Sequence, residues 1–271
     1  MSSCDPHSRP LDVPGTLVTT LMTTPLILAA VLATSILSGV IGMAGGMILM
    51  GLLILLLSVP VAMLLHGVTQ GFANGSRAWF LREHIRWKVL PPYLAGALLC
   101  VAAFSALKLV PDRGVVLLLV GLFPWLGRLL PGLVQLNVER PLTASGCGAL
   151  VTAAQLLAGA SGPLLDVFFL RSALDRHQIV ATKAITQTVG HLTKLGYYGT
   201  LLHLAGDGLD LEGAIPAWLF LAVIPVALLG TRIGTRLLDR LDESQFRRIS
   251  DRIILAIGAA CAIGGTIELL R

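Results

Sequence analysis

Gly39-Val-Ile-Gly-Met-Ala-Gly-Gly46 interrupts an apolar block running from about residue 25 to 58, and Gly159-Ala-Ser-Gly-Pro163 interrupts another at about 142–171. Glycine costs about 1 kcal/mol in a helix interior and proline about 3, so neither block reads as one uniform helix. The other apolar blocks, near 62–80, 89–108, 114–131, 178–203, 213–235 and 253–270, are not broken in this way. Such lengths suit helices crossing a hydrocarbon core roughly 30 Å thick. Of the 271 residues, 55% are hydrophobic and 13% charged, about half the charge of soluble domains. Mean hydropathy is +0.83. This arithmetic argues against a soluble enzyme, a nucleic-acid binder and a disordered chain. The fold class it predicts is an all-α polytopic membrane protein.

Sliding the chain against itself by 117 residues places Gly42 on Gly159 and Gly45 on Gly162. The same offset superposes Thr69-Gln70 on Thr186-Gln187, His66 on Lys183, Asn74 on His191 and Arg77 on Lys194. One isolated small-xxx-small break reads as close helix packing. Two breaks at corresponding positions of a duplicated unit point instead to a transporter binding site. The division expected is a polar tail at 1–24, a first membrane repeat at 25–131, a connector at 132–141 and a second repeat at 142–271, all within one membrane domain.

Charge placement selects the topology. If each broken block is a re-entrant hairpin returning to its starting side, thirteen cations share one face: Arg82, Arg86, Lys88, Arg128, Arg140, Arg171, Arg176 and the six Arg of 232–252. Only Arg9, Lys108, Arg113 and Arg271 fall on the other, with the acidic 203–212 connector. Cytoplasmic loops carry the excess of Lys and Arg. The expected architecture is therefore two inverted repeats, each a hairpin followed by three transmembrane helices, with both termini outside.

Arg77, Lys183 and Lys194 lie inside apolar segments, where a cation at the helix centre costs at least about 2.5–3.5 kcal/mol. Near a segment end a long side chain snorkels to the interface, which suits Arg77 and Lys183 better than Lys194. Lys183, Thr186, Gln187, Gly190, His191 and Lys194 fall on one helical face, as do His66, Thr69, Gln70, Ala73, Asn74 and Arg77. Such faces belong against each other and not against lipid. Hydroxyl, amide and cationic donors beside glycine-broken half-helices suit an oxyanion, because half-helix N-termini offer free N–H groups and a positive dipole end. The candidate substrate-binding set is Gly42, Gly45, Gly46, Thr69, Gln70, Asn74, Gly159, Gly162, Lys183, Thr186, Gln187, His191 and Lys194. Asp166, with Arg77, is a candidate for charge pairing or coupling. It can neutralise Lys183 or Lys194, or carry a proton, and His191 is a second candidate shuttle.

Cys4, Cys100, Cys147 and Cys261 lack metal-ligand or redox spacing, the six histidines are dispersed, and neither a P-loop nor a GxSxG elbow occurs. No cofactor, metal or catalytic residue is expected. Trp79, Trp87, Tyr197, Tyr198 and Trp218 lie near segment ends and read as interfacial anchors, with Tyr197 alternatively lining the pathway.

The two Gly-rich breaks, each followed some 20 residues later by a polar Thr-Gln helix, resemble the TauE/SafE family of sulfite or organosulfonate exporters over roughly 34–270. The resemblance implies secondary transport of a small anion in a bacterial-type inner membrane, with the Gly-rich breaks lining the central site. The second break is poorer in glycine than the family's usual run, and Asp166 with Ala181-Thr-Lys-Ala-Ile-Thr-Gln187 looks like a subgroup feature. The function expected is export of sulfite, an organosulfonate or a related sulfur oxyanion or carboxylate, by alternating access coupled to protons or membrane potential. An anion channel, an intramembrane enzyme built on His191 and Asp166, and a structural subunit are the rivals. The partners expected are the anion and the bilayer, without nucleic acid, and a homo-oligomer is compatible with the sequence. The charge count generates a direct test: on a background lacking native cysteines, Arg86→Cys and Arg236→Cys react with a membrane-impermeant thiol reagent from one side, and Lys108→Cys from the other.

Overall fold

The structure, a computed structural model, describes residues 13–41, 44–133, 136–205, 215–238 and 243–271. Its regular structure there is wholly helical: α1 (Val13–Ile41), α2 (Ala44–Leu56), α3 (Val59–Phe80), α4 (Leu90–Leu107) and α5 (Arg113–Leu133), then α6 (Pro141–Ala158), α7 (Gly162–Phe169), α8 (Arg176–Ala205), α9 (Trp218–Leu238) and α10 (Glu243–Leu269). The candidate Gly42, the cations Arg9 and Arg240, Cys4 and most of the acidic connector lie outside the described residues.

Both glycine runs end one helix and start a shorter one. At 1.5 Å per residue, the 13 residues of α2 reach about 20 Å and the 8 of α7 about 12 Å, too short to span. Each short helix folds back on its predecessor. Gly45 presses so closely on α1 that a Cβ would lie 2.1 Å from the Thr34 carbonyl oxygen and 2.8 Å from Ser38 Oγ. In the second hairpin the Val138 N–H, just before α6, donates to the Phe168 carbonyl at the end of α7 at 2.9 Å. The Ala173 N–H likewise reaches back to the Glu139 carboxylate at 2.9 Å. Gly159 terminates α6 with φ +70°, a conformation open to glycine at little cost.

Lipid supplies no hydrophobic force between helices, so packing relies on small residues that let backbones approach. Gly230 lies on Leu32 and Ser35, and Gly234 on Ile36 and Gly39, which sets α1 and α9 parallel. Gly114 meets Gly265 and Leu269 while Gly121 meets Gly258 and Ala262, so α5 and α10 run antiparallel. Gly67 faces Leu195, Gly71 faces His191 and Gly75 faces Thr188, making α3 and α8 antiparallel as well. α4 crosses α6 where Gly96 rests on Ser145 and Gly148 on Tyr93.

The chain ends of these helices gather at two poles. At one, the Arg86 N–H donates to Thr182 Oγ1 at 2.9 Å and the Arg86 guanidinium lies 3.8 Å from Glu139. At the other, Arg113 donates to the Leu55 carbonyl at 2.9 Å and the Tyr197 hydroxyl to the Leu109 carbonyl at 2.7 Å.

Among the described residues, four segments are long and apolar enough to cross a membrane: Trp87–Leu107, Pro141–Ala158, Trp218–Leu237 and Arg252–Leu269. Leu98, Leu99, Leu221 and Ile263 stand exposed on three of them, as lipid-facing positions should. α3 and α8 are long enough but devote one face to polar side chains. Trp79, Trp87 and Trp218 are exposed, as anchors require, whereas Tyr197 and Tyr198 are buried. The anchor reading is wrong for these two, because α6 and the α4–α5 turn cover them. Tyr198 donates to the Leu156 carbonyl at 2.6 Å.

A Cβ at Gly148 would meet the Tyr93 carbonyl oxygen at 1.9 Å, whereas at Gly146, on the same helix, it would meet nothing within 4 Å. Gly148→Ala is expected to destabilise by at least the roughly 1–3 kcal/mol typical of overpacking. Gly146→Ala should leave stability unchanged or raise it by up to about 1 kcal/mol. Thermal melts of the two variants in detergent check the contrast.

Candidate functional site

The antiparallel crossing of α3 and α8 brings the two polar faces together. His66, Thr69, Gln70 and Asn74 on α3, and Thr186, Gln187, His191 and Lys194 on α8, are all buried. Thr69 and Thr186 spend their hydroxyls on carbonyls of their own helices, Leu65 and Thr182, at 2.8 and 3.0 Å. The Asn74 amide likewise donates to the Gln70 carbonyl at 3.0 Å. His66, Gln187 and Lys194 are shared between helices.

Lys194 is 0% exposed. Its ammonium donates to the Gly159 carbonyl at 2.8 Å and lies 2.8 Å from His66 Nδ1. His66 Nε2 in turn lies 2.8 Å from the Gly46 carbonyl. A carbonyl only accepts, so Nε2 carries the proton toward Gly46 and Nδ1 presents its lone pair to Lys194. This tautomer is assigned from the hydrogen-bond pattern. One continuous chain, Gly46–His66–Lys194–Gly159, thus ties the tip of the first hairpin to the tip of the second. Gly159 has a further reason to be glycine, since a Cβ would lie 2.6 Å from Met50 Sδ and 2.9 Å from Met63 Sδ. Among the described residues no carboxylate pairs with Lys194. Burying a charge without one is costly unless polar groups or an anion compensate.

Beside this chain lies a small cavity lined by Ser38, Gly46, Met47, His66, Gln70, Asn74, Ala160, Ser161, Gly162, Gln187 and His191. Three buried polar atoms on its walls have no protein partner: Gln70 Nε2, Ser161 Oγ and His191 Nδ1. Buried polar groups are nearly always hydrogen-bonded, and exceptions call for explanation. Here they share one cavity, with the His191 ring 5.5 Å from that of His66. Gln155 on α6 donates to Oε1 of Gln187, one of the lining side chains, at 2.9 Å.

The candidates therefore separate. Gly46, Gln70, Asn74, Gly162, Gln187 and His191 line the cavity, and Lys194 and Gly159 stand directly behind it. Gly45 packs on α1. Lys183 forms an ion pair with Asp166 away from the cavity, the two side chains 21% and 49% exposed. Arg77 reaches the Ser38 carbonyl at 3.4 Å, near the C-terminal end of α1, where a cation is favourable. Ser38, Ser161, Gln155 and the contact role of His66 were not singled out by spacing. Ser161 sits inside the second glycine run, and Gln155 occupies the position of Ser38 at the 117-residue offset.

His66→Leu and Lys194→Met should both destabilise, and unequally. The first leaves an ammonium with Gly159 alone, at a cost of about 3–5 kcal/mol by analogy with broken buried pairs. The second leaves two neutral acceptors unpaired, at roughly 1–3 kcal/mol each. The double variant should lose less than the sum of the two, as measured by denaturation in detergent.

A family model described as Sulfite exporter TauE/SafE matches residues 26–261. No curated protein matches the chain, and no solved structure does.

Proposed function

The chain belongs to the sulfite exporter TauE/SafE family, a family of membrane transporters, and we propose that it is a secondary transporter moving a small sulfur oxyanion or sulfonate by alternating access. The observation carrying this reading is the Lys194 ammonium. It is fully buried, has no carboxylate partner among the described residues, and lies behind a cavity with three unpartnered polar atoms. An anion in the cavity compensates the charge and supplies oxygens to the Gln70 amide and Ser161 hydroxyl. A cation site would need convergent carboxylates or carbonyls, and the cavity walls carry no carboxylate.

In this reading the chain is two inverted repeats, 25–131 and 142–271, in a cell inner membrane. Several features support it. α1 and α6 end at Ile41 and Ala158, and α3 and α8 begin at Val59 and Arg176, in each case 117 residues apart. The two pairings α1–α9 and α4–α6 exchange under the repeat, while α3–α8 and α5–α10 map onto themselves. The 81–88 connector belongs to the cytoplasmic pole by its positive charge. Transport proceeds when the two hairpins move relative to each other, opening the cavity first to one pole and then to the other. The Gly46–His66–Lys194–Gly159 chain holds them together in the present state. Inward protons or the membrane potential supply the drive.

Counterflow in proteoliposomes tests the mechanism. Vesicles loaded with unlabelled sulfite should take up labelled sulfite several-fold faster than empty ones, and Gln70→Leu or Ser161→Ala should slow uptake at least tenfold while the protein stays folded. Equal rates in loaded and empty vesicles would favour a channel, and no flux would sink the transport reading.

A further inference from the structure

We propose that the cavity selects for a single negative charge, accepting sulfonates and hydrogensulfite and rejecting dianions of the same shape. This rests on the transport reading above and narrows it.

The inference follows from a charge count. None of the eleven cavity-lining residues is Lys, Arg, Asp or Glu. The walls supply neutral hydrogen-bonding groups: the Gln70, Asn74 and Gln187 amides, the Ser38 and Ser161 hydroxyls and the two imidazoles of His66 and His191. Neutral donors solvate an anion but do not cancel its charge. Arg77, Lys183 and Lys194 lie on the two polar helices, and they differ in what they have left to offer. Lys183 is already matched by Asp166. Arg77 donates to the Ser38 carbonyl in the last turn of α1, where the freed carbonyls and the negative end of the helix dipole compensate its charge. Lys194 alone is wholly buried, and one of its hydrogen bonds goes to a side chain that lines the cavity, His66.

Among the described residues, the elements packed around Lys194 add no countercharge. α3 contributes neutral His66, α6 contributes the Gly159 carbonyl, and α8 itself contributes His191 and the Tyr198 hydroxyl, which donates to Leu156. One unit of positive charge therefore serves the cavity. A monoanion brings the buried site to neutrality. A dianion leaves one unit uncompensated in a low-dielectric interior, where unpaired charge is heavily penalised. Methanesulfonate and sulfate both present oxygens around tetrahedral sulfur but differ by one charge, which makes them a matched pair of probes.

Isothermal titration of the purified full-length chain in nanodiscs, with methanesulfonate, sulfate and sulfite as ligands, tests this. Methanesulfonate should bind at least tenfold more tightly than sulfate. The affinity ratio of sulfite to methanesulfonate should fall as pH rises through the range where hydrogensulfite loses its proton. Lys194→Gln should weaken methanesulfonate at least tenfold. Sulfate binding as tightly as methanesulfonate overturns the charge rule alone, as does a folded Lys194→Gln protein with unchanged affinity. Should that variant not fold, the comparison of ligands on the unsubstituted chain decides. Absence of binding by all three anions removes the anion-transport reading and the charge rule together.

Discussion

An ammonium group buried between two broken helices organises this protein. In water Lys194 would be solvated at negligible cost. Here its hydrogen bonds come from one carbonyl freed by the end of α6 and one imidazole. Each partner is constrained in turn. The carbonyl is presented because Gly159 adopts a left-handed conformation, and the imidazole is fixed in one tautomer because its other nitrogen donates to Gly46. The glycines, the histidine and the lysine therefore form a single mechanical unit, in which changing one member leaves another polar group stranded. In a medium without water, that penalty makes the two hairpins behave as coupled parts.

The same constraint explains why the polar faces meet. A helix carrying His66, Gln70 and Asn74 cannot turn them to lipid, and neither can one carrying Gln187, His191 and Lys194. Each is the solution to the other's problem, and glycines at 67, 71 and 75 let the backbones approach. The match is incomplete, however. Gln70, Ser161 and His191 retain unpartnered atoms beside a cavity, so polar capacity exceeds what the fold consumes. That surplus is what supports reading the packing arrangement as a binding site.

The glycine breaks and the two polar faces were legible because both are local: the first by composition, the second by helical period. The partner of Lys194 was not. Sequence offered Asp166 as counterion to either lysine; the packing of α7 on α8 gives it to Lys183, and the crossing of α3 and α8 gives Lys194 to His66. Periodicity states which residues share a face but not where along the axis two faces cross. Gln155 escaped for a related reason. It stands alone among apolar neighbours on α6, and its importance comes from Gln187 on another helix. Tyr197 and Tyr198 were misassigned because nearness to a segment end does not distinguish a lipid-facing ring from one covered by neighbouring helices.

The order in which these surfaces are synthesised has a consequence of its own. α3 ends at Phe80 and α8 at Ala205, so 125 residues follow before the polar face of α3 has its full partner. At roughly 5–20 residues per second, translation takes about 6–25 s to cover that interval. α1 waits longer still, for α9. During that time the nascent first half holds the His66 Nδ1 lone pair without the Lys194 ammonium it meets in the folded chain. The polar seam of the fold is therefore completed only when the second half supplies Lys194.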